Sequence, residues 1–469
     1  MSTENKIDAP NNMPDSTTSK YPKYKNSNIK WLGEIPEHWE VKRFKYLSKI
    51  QKGKLPKKIL SKNILNLPPY LSMEYLRGGK ENQWVLDNKA SIIDKNEILL
   101  LWDGSNAGEF LKSRRGVISS TVAHINYRNI NKEFAWFYAK VIEIELKRKT
   151  IGMGIPHVNG EYFNNLIHLL PPLPEQTAIA TYLDEKSRKI EQAISQKQKL
   201  IELLKERKQI MIQNAVTGAS TGSATGPSAN SANNNTANNE PAASLTEPAE
   251  VKDSGIEWIG KIPKHWEVKA VRRVLNKLEQ GDSPSPSNDD LGIFVIKLSA
   301  IKEGKFNLNE RKPILKKNYI NKYQLKKGDF LLTRGNTPEL VGDSCFINMD
   351  INIPLMFSDL VYRLTFNNKK VNDKFMLYSF LSEYHRIQII SSARGSSSSM
   401  VKISQDHIKS WTFICPPLSE QQQIADYIER ESDKIDKAIS IQGQQIEKLR
   451  EYKLSLINSV VTGKLRVCK

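Results

Sequence analysis

Cysteine is scarce in the 469-residue chain: Cys345, Cys415 and Cys468 stand far apart. That spacing builds neither a disulfide framework nor a zinc knuckle and points to a reducing compartment. No stretch of about 18 apolar residues occurs, so no membrane-spanning helix is expected. Met1–Lys30 is polar, lacks an apolar stretch and does not read as a secretory signal. The seven histidines show no metal-ligand spacing, and no glycine-rich loop matches GxxxxGK[ST] or GxGxxG. Acidic charge is the minority charge, with 51 Asp+Glu against 70 Lys+Arg, a net of +19. These absences leave a cytoplasmic protein whose plainest partner is a polyanion, most commonly nucleic acid.

The excess charge is confined. Met1–Leu173 carries 27 basic and 17 acidic residues, and Val251–Cys415 carries 26 and 17, for nets of +10 and +9. The rest of the chain sums to zero. These two basic segments lie inside a duplication. Trp31-Leu-Gly-Glu-Ile-Pro-Glu-His-Trp-Glu-Val-Lys42 recurs as Trp258-Ile-Gly-Lys-Ile-Pro-Lys-His-Trp-Glu-Val-Lys269, nine of twelve positions being identical at an offset of 227. Pro171-Pro-Leu-Pro-Glu-Gln176 recurs as Pro416-Pro-Leu-Ser-Glu-Gln421, and Val216-Thr-Gly218 as Val461-Thr-Gly463, both at an offset of 245. The flanks match while the interiors diverge, as a protein reading two different targets requires.

Within each copy the Trp block opens a domain, and His38-Trp39 and His265-Trp266 are expected to pack a fold junction. Runs bounded by Gly, Asn and Asp read as strands: Tyr70–Met73, Glu97–Trp102, Phe294–Leu298 and Asp329–Thr333. Phe134–Leu146 and Phe375–Ile390 read as amphipathic helices. Two long helices follow, with seams at Ile179, Leu183, Ile190, Ile194, Ile201, Leu204, Met211 and Ala215, and at Ile424, Ile428, Ile435, Ile439, Ile446, Leu449, Leu456 and Val460. Spacings of three, four and seven demand a partner helix, and each helix's duplicate is the obvious one. Pro174 suits a first helical position, Ser419 with Gln422 a capping box, and Gly218 and Gly463 the stops. Gly443 should weaken the second helix by about 1 kcal/mol relative to alanine. Helices of this length span roughly 60 Å, against about 34 Å for a DNA turn. The expected organisation is a polar N-terminal extension (1–30), a first domain (31–173), a helix (174–218), a flexible linker (219–250), a second domain (251–415), and a helix with tail (416–469). The fold class is α/β, two mixed domains joined by two long helices.

No catalytic constellation emerges. Asn66-Leu-Pro-Pro-Tyr70 is similar to the Asn-Pro-Pro-Tyr box of amino-methyltransferases, but Leu67 separates the asparagine from the first proline. Carboxylates such as Asp103 and Asp329 form no spaced metal cluster. DNA-reading candidates are basic and amide-bearing loop residues: Asn106, Lys112, Arg114 and Arg115 in the first copy; Arg334, Asn336, Arg394 and Ser396–Ser399, Ser396 and Ser397 foremost, in the second. Arginine suits guanine O6/N7, asparagine suits adenine, and serine suits phosphate.

The Trp-Gly-Ile-Pro-Trp block, the Pro-Pro-Leu-x-Glu-Gln helix start and their duplication together resemble the DNA-specificity subunit of type I restriction-modification systems over Trp31–Val467. The resemblance implies two target-recognition domains, each reading half of a bipartite asymmetric site. It also implies an antiparallel coiled coil that sets the spacer and docks two modification (methyltransferase) subunits on double-stranded DNA. Those partners bring S-adenosylmethionine for adenine methylation, and restriction (translocase/nuclease) subunits bring ATP and Mg. The specificity chain itself would hold no cofactor and no catalytic residue. Ile190, Ile194, Ile201, Leu204, Ile435, Ile439, Ile446 and Leu449 would form the helix seam. Two other readings remain at this point: a self-sufficient DNA methyltransferase or nuclease, and a coiled-coil scaffold.

Overall fold

A computed structural model describes residues 19–467 except 30, 64–65, 88, 153, 219–249, 257–258, 288, 290–291 and 398–399. Residues 219–249 of the linker, Trp258, Ser398, Ser399 and Cys468 therefore lie outside the described residues. The chain forms two compact units, residues 1–198 with 443–469 and residues 199–442. Each long helix is thus shared between units rather than forming a segment of its own.

Unit 1 is built on a four-stranded antiparallel sheet in the order Ser48–Lys52, Val122–Tyr127, Ile98–Leu101, Phe110–Lys112. Unit 2 repeats it with Leu275–Gln280, Val361–Phe366, Phe330–Thr333 and Ser344–Phe346. One of the two central strands in each sheet, Ile98–Leu101 or Phe330–Thr333, is buried along its whole length. A second pair recurs as Glu40–Arg43 with Ile167–Leu170, and as Glu267–Ala270 with Thr412–Cys415. A third recurs as Tyr24–Asn26 with Glu34–Pro36, and as Val251–Asp253 with Lys261–Pro263. The first unit therefore begins before its Trp block. Tyr21 is buried and edge-on to Trp39, so part of the supposed polar extension is core.

Asn131 caps the helix Lys132–Arg148. Its counterpart in unit 2 is capped by Asn372 but splits into Asp373–Leu381 and Glu383–Ser392. The Ser382 hydroxyl donates to the Ser379 carbonyl and its backbone is extended, which ends the helical ladder there. Tyr70–Met73 is not a strand: Ser72 caps a single helical turn, Met73–Leu76. Phe294–Ile296 is a strand, but Leu298 already begins a 3-10 turn.

The long helices are Leu173–Thr217 and Leu418–Val461. The first begins one residue before Pro174, and the second two residues before the start that a capping Ser419 implies. The carbonyls of Pro172 and Pro417 already accept from the amides of Gln176 and Gln421, at 2.9 and 3.0 Å. Ser419 therefore lies inside the helix and cannot cap it. In unit 1 the Glu191 carboxylate is 2.7 Å from Lys453 Nζ, and Lys197 bonds Gln445 at 2.5 Å. In unit 2 Lys208 lies 2.8 Å from Asp436. One partner's number rises as the other's falls, so the helices pair antiparallel. Ile190, Ile194 and Ile446 are buried in the seam, while Ile201, Leu204, Ile435, Ile439 and Leu449 are half-buried. The second helix runs unbroken through Gly443, where an added Cβ would meet open space.

Candidate nucleic-acid interface

The duplicated motifs hold the frame. In unit 1 Trp39 Nε1 donates to Glu175 Oε1 at 3.2 Å, and His38 Nε2 lies 2.8 Å from Glu175 Oε2. In unit 2 Trp266 Nε1 donates to Glu420 Oε2 at 2.8 Å, and His265 Nε2 lies 2.9 Å from Oε1. The adjacent glutamine ties three elements in each unit. Gln176 accepts from the Asn131 amide at 2.9 Å and donates to the Pro171 carbonyl at 2.8 Å. Gln421 does the same with Asn372 and Pro416, at 2.9 and 2.8 Å. Each Trp block is also closed from below by a Val-Thr-Gly helix end. Val460, Val461 and Trp39 share one apolar cluster, and Val216 and Trp266 another. Gly463 and Gly218 have φ of 75° and 70°, and each packs so tightly against Pro36 or Pro263 that a side chain would clash. The histidine–tryptophan pairs are thus junction residues, as the sequence suggested.

This frame presents one end of each four-stranded sheet to solvent. In unit 2 a small antiparallel sheet forms there in the order Gly335–Asn336, Met400–Lys402, Arg394–Ser397. It brings Asn336, Arg394, Ser396 and Ser397 together; for the two serines only the backbone is described. Arg394 is exposed, its Nη1 donating to the Ser391 carbonyl at 2.6 Å. Arg334 flanks this sheet half-buried, its Nε donating to Tyr362 Oη at 3.1 Å.

Unit 1 does not gather its four candidates. Asn106 is exposed in the turn joining Ile98–Leu101 to Phe110–Lys112. Lys112, Arg114 and Arg115 lie at the other end of that hairpin. Lys112 Nζ pairs with Glu133 at 2.6 Å and sits 5.4 Å from the Trp136 ring centroid. The Arg114 guanidinium stacks on Tyr75 at 4.5 Å and donates to the Gly79 carbonyl. Arg115 is exposed, 3.9 Å from Asp94. A different polar group occupies the solvent end of the unit 1 sheet. His157 Nδ1 lies 2.8 Å from Asp103 Oδ1, and Lys52 Nζ lies 3.3 Å from Oδ2 and 5.2 Å over the Trp102 ring. The repeated flanks do not reach these residues. Asp103, His157 and Lys52 come from three segments that no sequence motif joins.

Among the described residues no group of three or more His, Cys, Asp or Glu side chains is placed to hold a metal ion. No described helix is long and apolar enough to cross a membrane. Cys345 and Cys415 are buried free thiols, both pushed up by burial and so held protonated.

Known proteins share this architecture. The chain is 31% identical over 460 residues to the type I restriction enzyme MjaVIII specificity subunit of Methanocaldococcus jannaschii, covering 95% of this chain and 97% of that one. It is 26% identical over 206 residues to the putative MjaX specificity subunit of the same organism, covering 44% and 47%. One chain from a solved structure on assembly and conformational transition of the type I R-M system superposes with a TM-score of 0.62 at 13% identity, covering 91% of this chain and 98% of that one. The sequence model of the type I restriction modification DNA specificity domain matches twice, at residues 36–203 and 263–451. With both copies and nearly the whole length accounted for, the chain belongs to the type I restriction-modification DNA specificity subunit family.

Proposed function

We propose that this chain reads a bipartite, asymmetric site in double-stranded DNA, one half with each unit, and directs adenine methylation and cleavage by partner subunits. The observation that carries this reading is a frame repeated bond for bond, in the Glu–Trp–His and Gln–Asn contacts, around solvent-facing sheet ends whose side chains differ. Residues 31–173 and 251–415 act as the target-recognition domains. Residues 174–218 and 416–469 carry the spacer helices, and 219–250 is a tether. Arg115 meets phosphate and Arg334 and Arg394 meet phosphates or guanines, with Asn336, Ser396 and Ser397 near Arg394 and Asn106 at the opposite end of the unit 1 hairpin from Arg115. Binding weakens steeply with salt. The helix pair docks two modification subunits that bring S-adenosylmethionine, and restriction subunits supply ATP and Mg chemistry.

Adding one heptad to each long helix extends the pair by about 10 Å. Methylome sequencing of cells making that variant with its modification partner is expected to return both half-sites unchanged at a longer spacing. New half-sites at the old spacing would contradict the reading.

A further inference from the structure

The solvent-facing sheet ends of the two units can be aligned atom by atom. The Trp102 amide donates to Thr121 O at 2.8 Å, and the Arg334 amide to Leu360 O at 2.7 Å. The Trp102 carbonyl accepts from Val158 N at 2.8 Å, as the Arg334 carbonyl does from Ile403 N, also at 2.8 Å. Gly152 and Gly395 make the same close approach, a Cβ on either standing 2.5 Å from the carbonyl oxygen of Ile155 or Met400. These contacts fix a register. The cross-strand row Asp103–His157–Ile151 of unit 1 corresponds to Gly335–Lys402–Arg394 of unit 2. Cross-strand partners project from one face of a sheet, so Asp103, His157 and Ile151 form one strip of side chains, and Lys402 and Arg394 form the other, Gly335 contributing only backbone. The position next to the row stays apolar and exposed in both units, Ile155 in one and Met400 in the other. The row itself changes chemical class.

In unit 1 the Asp103 carboxylate faces His157 Nδ1, so with the proton on that nitrogen Nε2 of the neutral ring is an acceptor. Ile151 stands beside it, 53% exposed. His157 and Ile151 exchange both backbone hydrogen bonds, at 2.7 and 2.9 Å, which sets their Cα atoms about 5.5 Å apart. An acceptor next to an apolar surface complements the major-groove edge of an A·T pair, which offers the adenine N6 amine and the thymine C5-methyl. In unit 2 the same two positions are the exposed cations Lys402 and Arg394. Two donors side by side complement the O6 and N7 acceptors of guanine.

We propose that the Asp103–His157–Ile151 row reads an A·T pair in the half-site of unit 1, and that the Gly335–Lys402–Arg394 row reads a G·C pair in that of unit 2. This rests on the bipartite reading above and names the side chains that give each half its sequence. Arg115, exposed at the other end of the unit 1 hairpin, then contributes affinity without discrimination.

The test uses the full chain produced with its modification partner. The unaltered chain must first yield a two-part methylated motif; its absence would count against the bipartite reading itself. The exchange Ile151→Arg with His157→Lys is then expected to convert one A·T position to G·C in one half-site only. Arg394→Ile with Lys402→His is expected to make the converse change in the other half. Either exchange leaving the motif intact, or altering both halves, would overturn the proposal. Should an exchange abolish methylation, binding of the unaltered complex to modified duplexes decides. Deoxyuridine at the critical thymine removes one methyl and should weaken binding about fourfold. 7-Deazaguanine at the critical guanine of the other half should weaken it about tenfold. No responsive position in either half would equally overturn the proposal.

Discussion

At the centre of its four-stranded sheet, unit 1 sets His124 Nε2 3.0 Å from Glu97 Oε2, with Lys132 on the second carboxylate oxygen. Unit 2 places Arg363 there, between Glu279 at 3.0 Å and Asp329 at 3.4 Å, all three buried. The cross-strand partners of these residues match, Leu99 and Gln51 for His124, Leu331 and Glu279 for Arg363. The electrostatics diverge all the same. Burial would raise the Glu97 carboxyl, but hydrogen bonds from Lys132 and His124 outweigh it and hold the pKa below 4.5. At Asp329 burial prevails over the Lys326 amide and Arg363, and the pKa rises. Outside the sheet, the Glu–Trp–His and Gln–Asn contacts are the same in both units. The comparison teaches that the junctions are fixed while the interior and the solvent end of each unit are free to vary.

The sharpest way to break this comparison is Arg363→Met. It leaves Asp329 buried without its cation and Glu279 with Lys277 alone, at a cost of about 3–5 kcal/mol. Hydrogen exchange followed unit by unit should show the loss in residues 199–442 and not in the other unit. Next in size is a response shared by both units through different residues. His168 is buried against Tyr138, the ring centroids 4.0 Å apart, and burial lowers its pKa to about 4. Burial lowers His385 to about 3, both ring nitrogens lacking a hydrogen-bond partner among the described residues. The unfolded chain protonates these rings near pH 6.5 while the folded units resist, so the unfolded state binds more protons. Stability is therefore lost as pH falls from 6.5 to about 4 in unit 1, by on the order of 3 kcal/mol, and on to about 3 in unit 2, by on the order of 5 kcal/mol. His168→Phe and His385→Phe should each flatten the pH dependence of its own unit in denaturant titrations. Smaller still, Glu175→Gln and Glu420→Gln should each cost about 1–3 kcal/mol by weakening the bonds to tryptophan and histidine. The loss at Glu175 should be the larger, because the Tyr21 hydroxyl also donates to it, at 2.5 Å.

Much of this was legible in the sequence. Identical flanks revealed the duplication because junction contacts tolerate few substitutes: Glu175 must reach both Trp39 and His38, and only glycine suits the φ of 75° at Gly463. The helix seams were legible because periodicity survives in Ile190, Ile194, Ile435 and Ile439 whatever they pack against. The division of each long helix between units was not, since it depends on contacts far apart in sequence, such as Glu191 with Lys453. Nor was the polar group at the unit 1 sheet end. Asp103, His157 and Lys52 come from three separate segments and form no motif. Basic residues are an imperfect guide for the same reason: Lys112 and Arg114 look free in the sequence, yet one pairs with Glu133 and the other stacks on Tyr75.

The most direct test of one frame with two independent readers is to give both units the same reader. Leu275–Ser410 of unit 2 would be replaced by Ser48–Asn165 of unit 1, leaving the Glu420 contacts to Trp266 and His265 in place and supplying Asn131 where Asn372 meets Gln421. Methylome sequencing of cells making this chimaera with its modification partner is expected to return a motif in which the unit 1 half-site occurs twice. A motif that kept the unit 2 half-site would contradict the account.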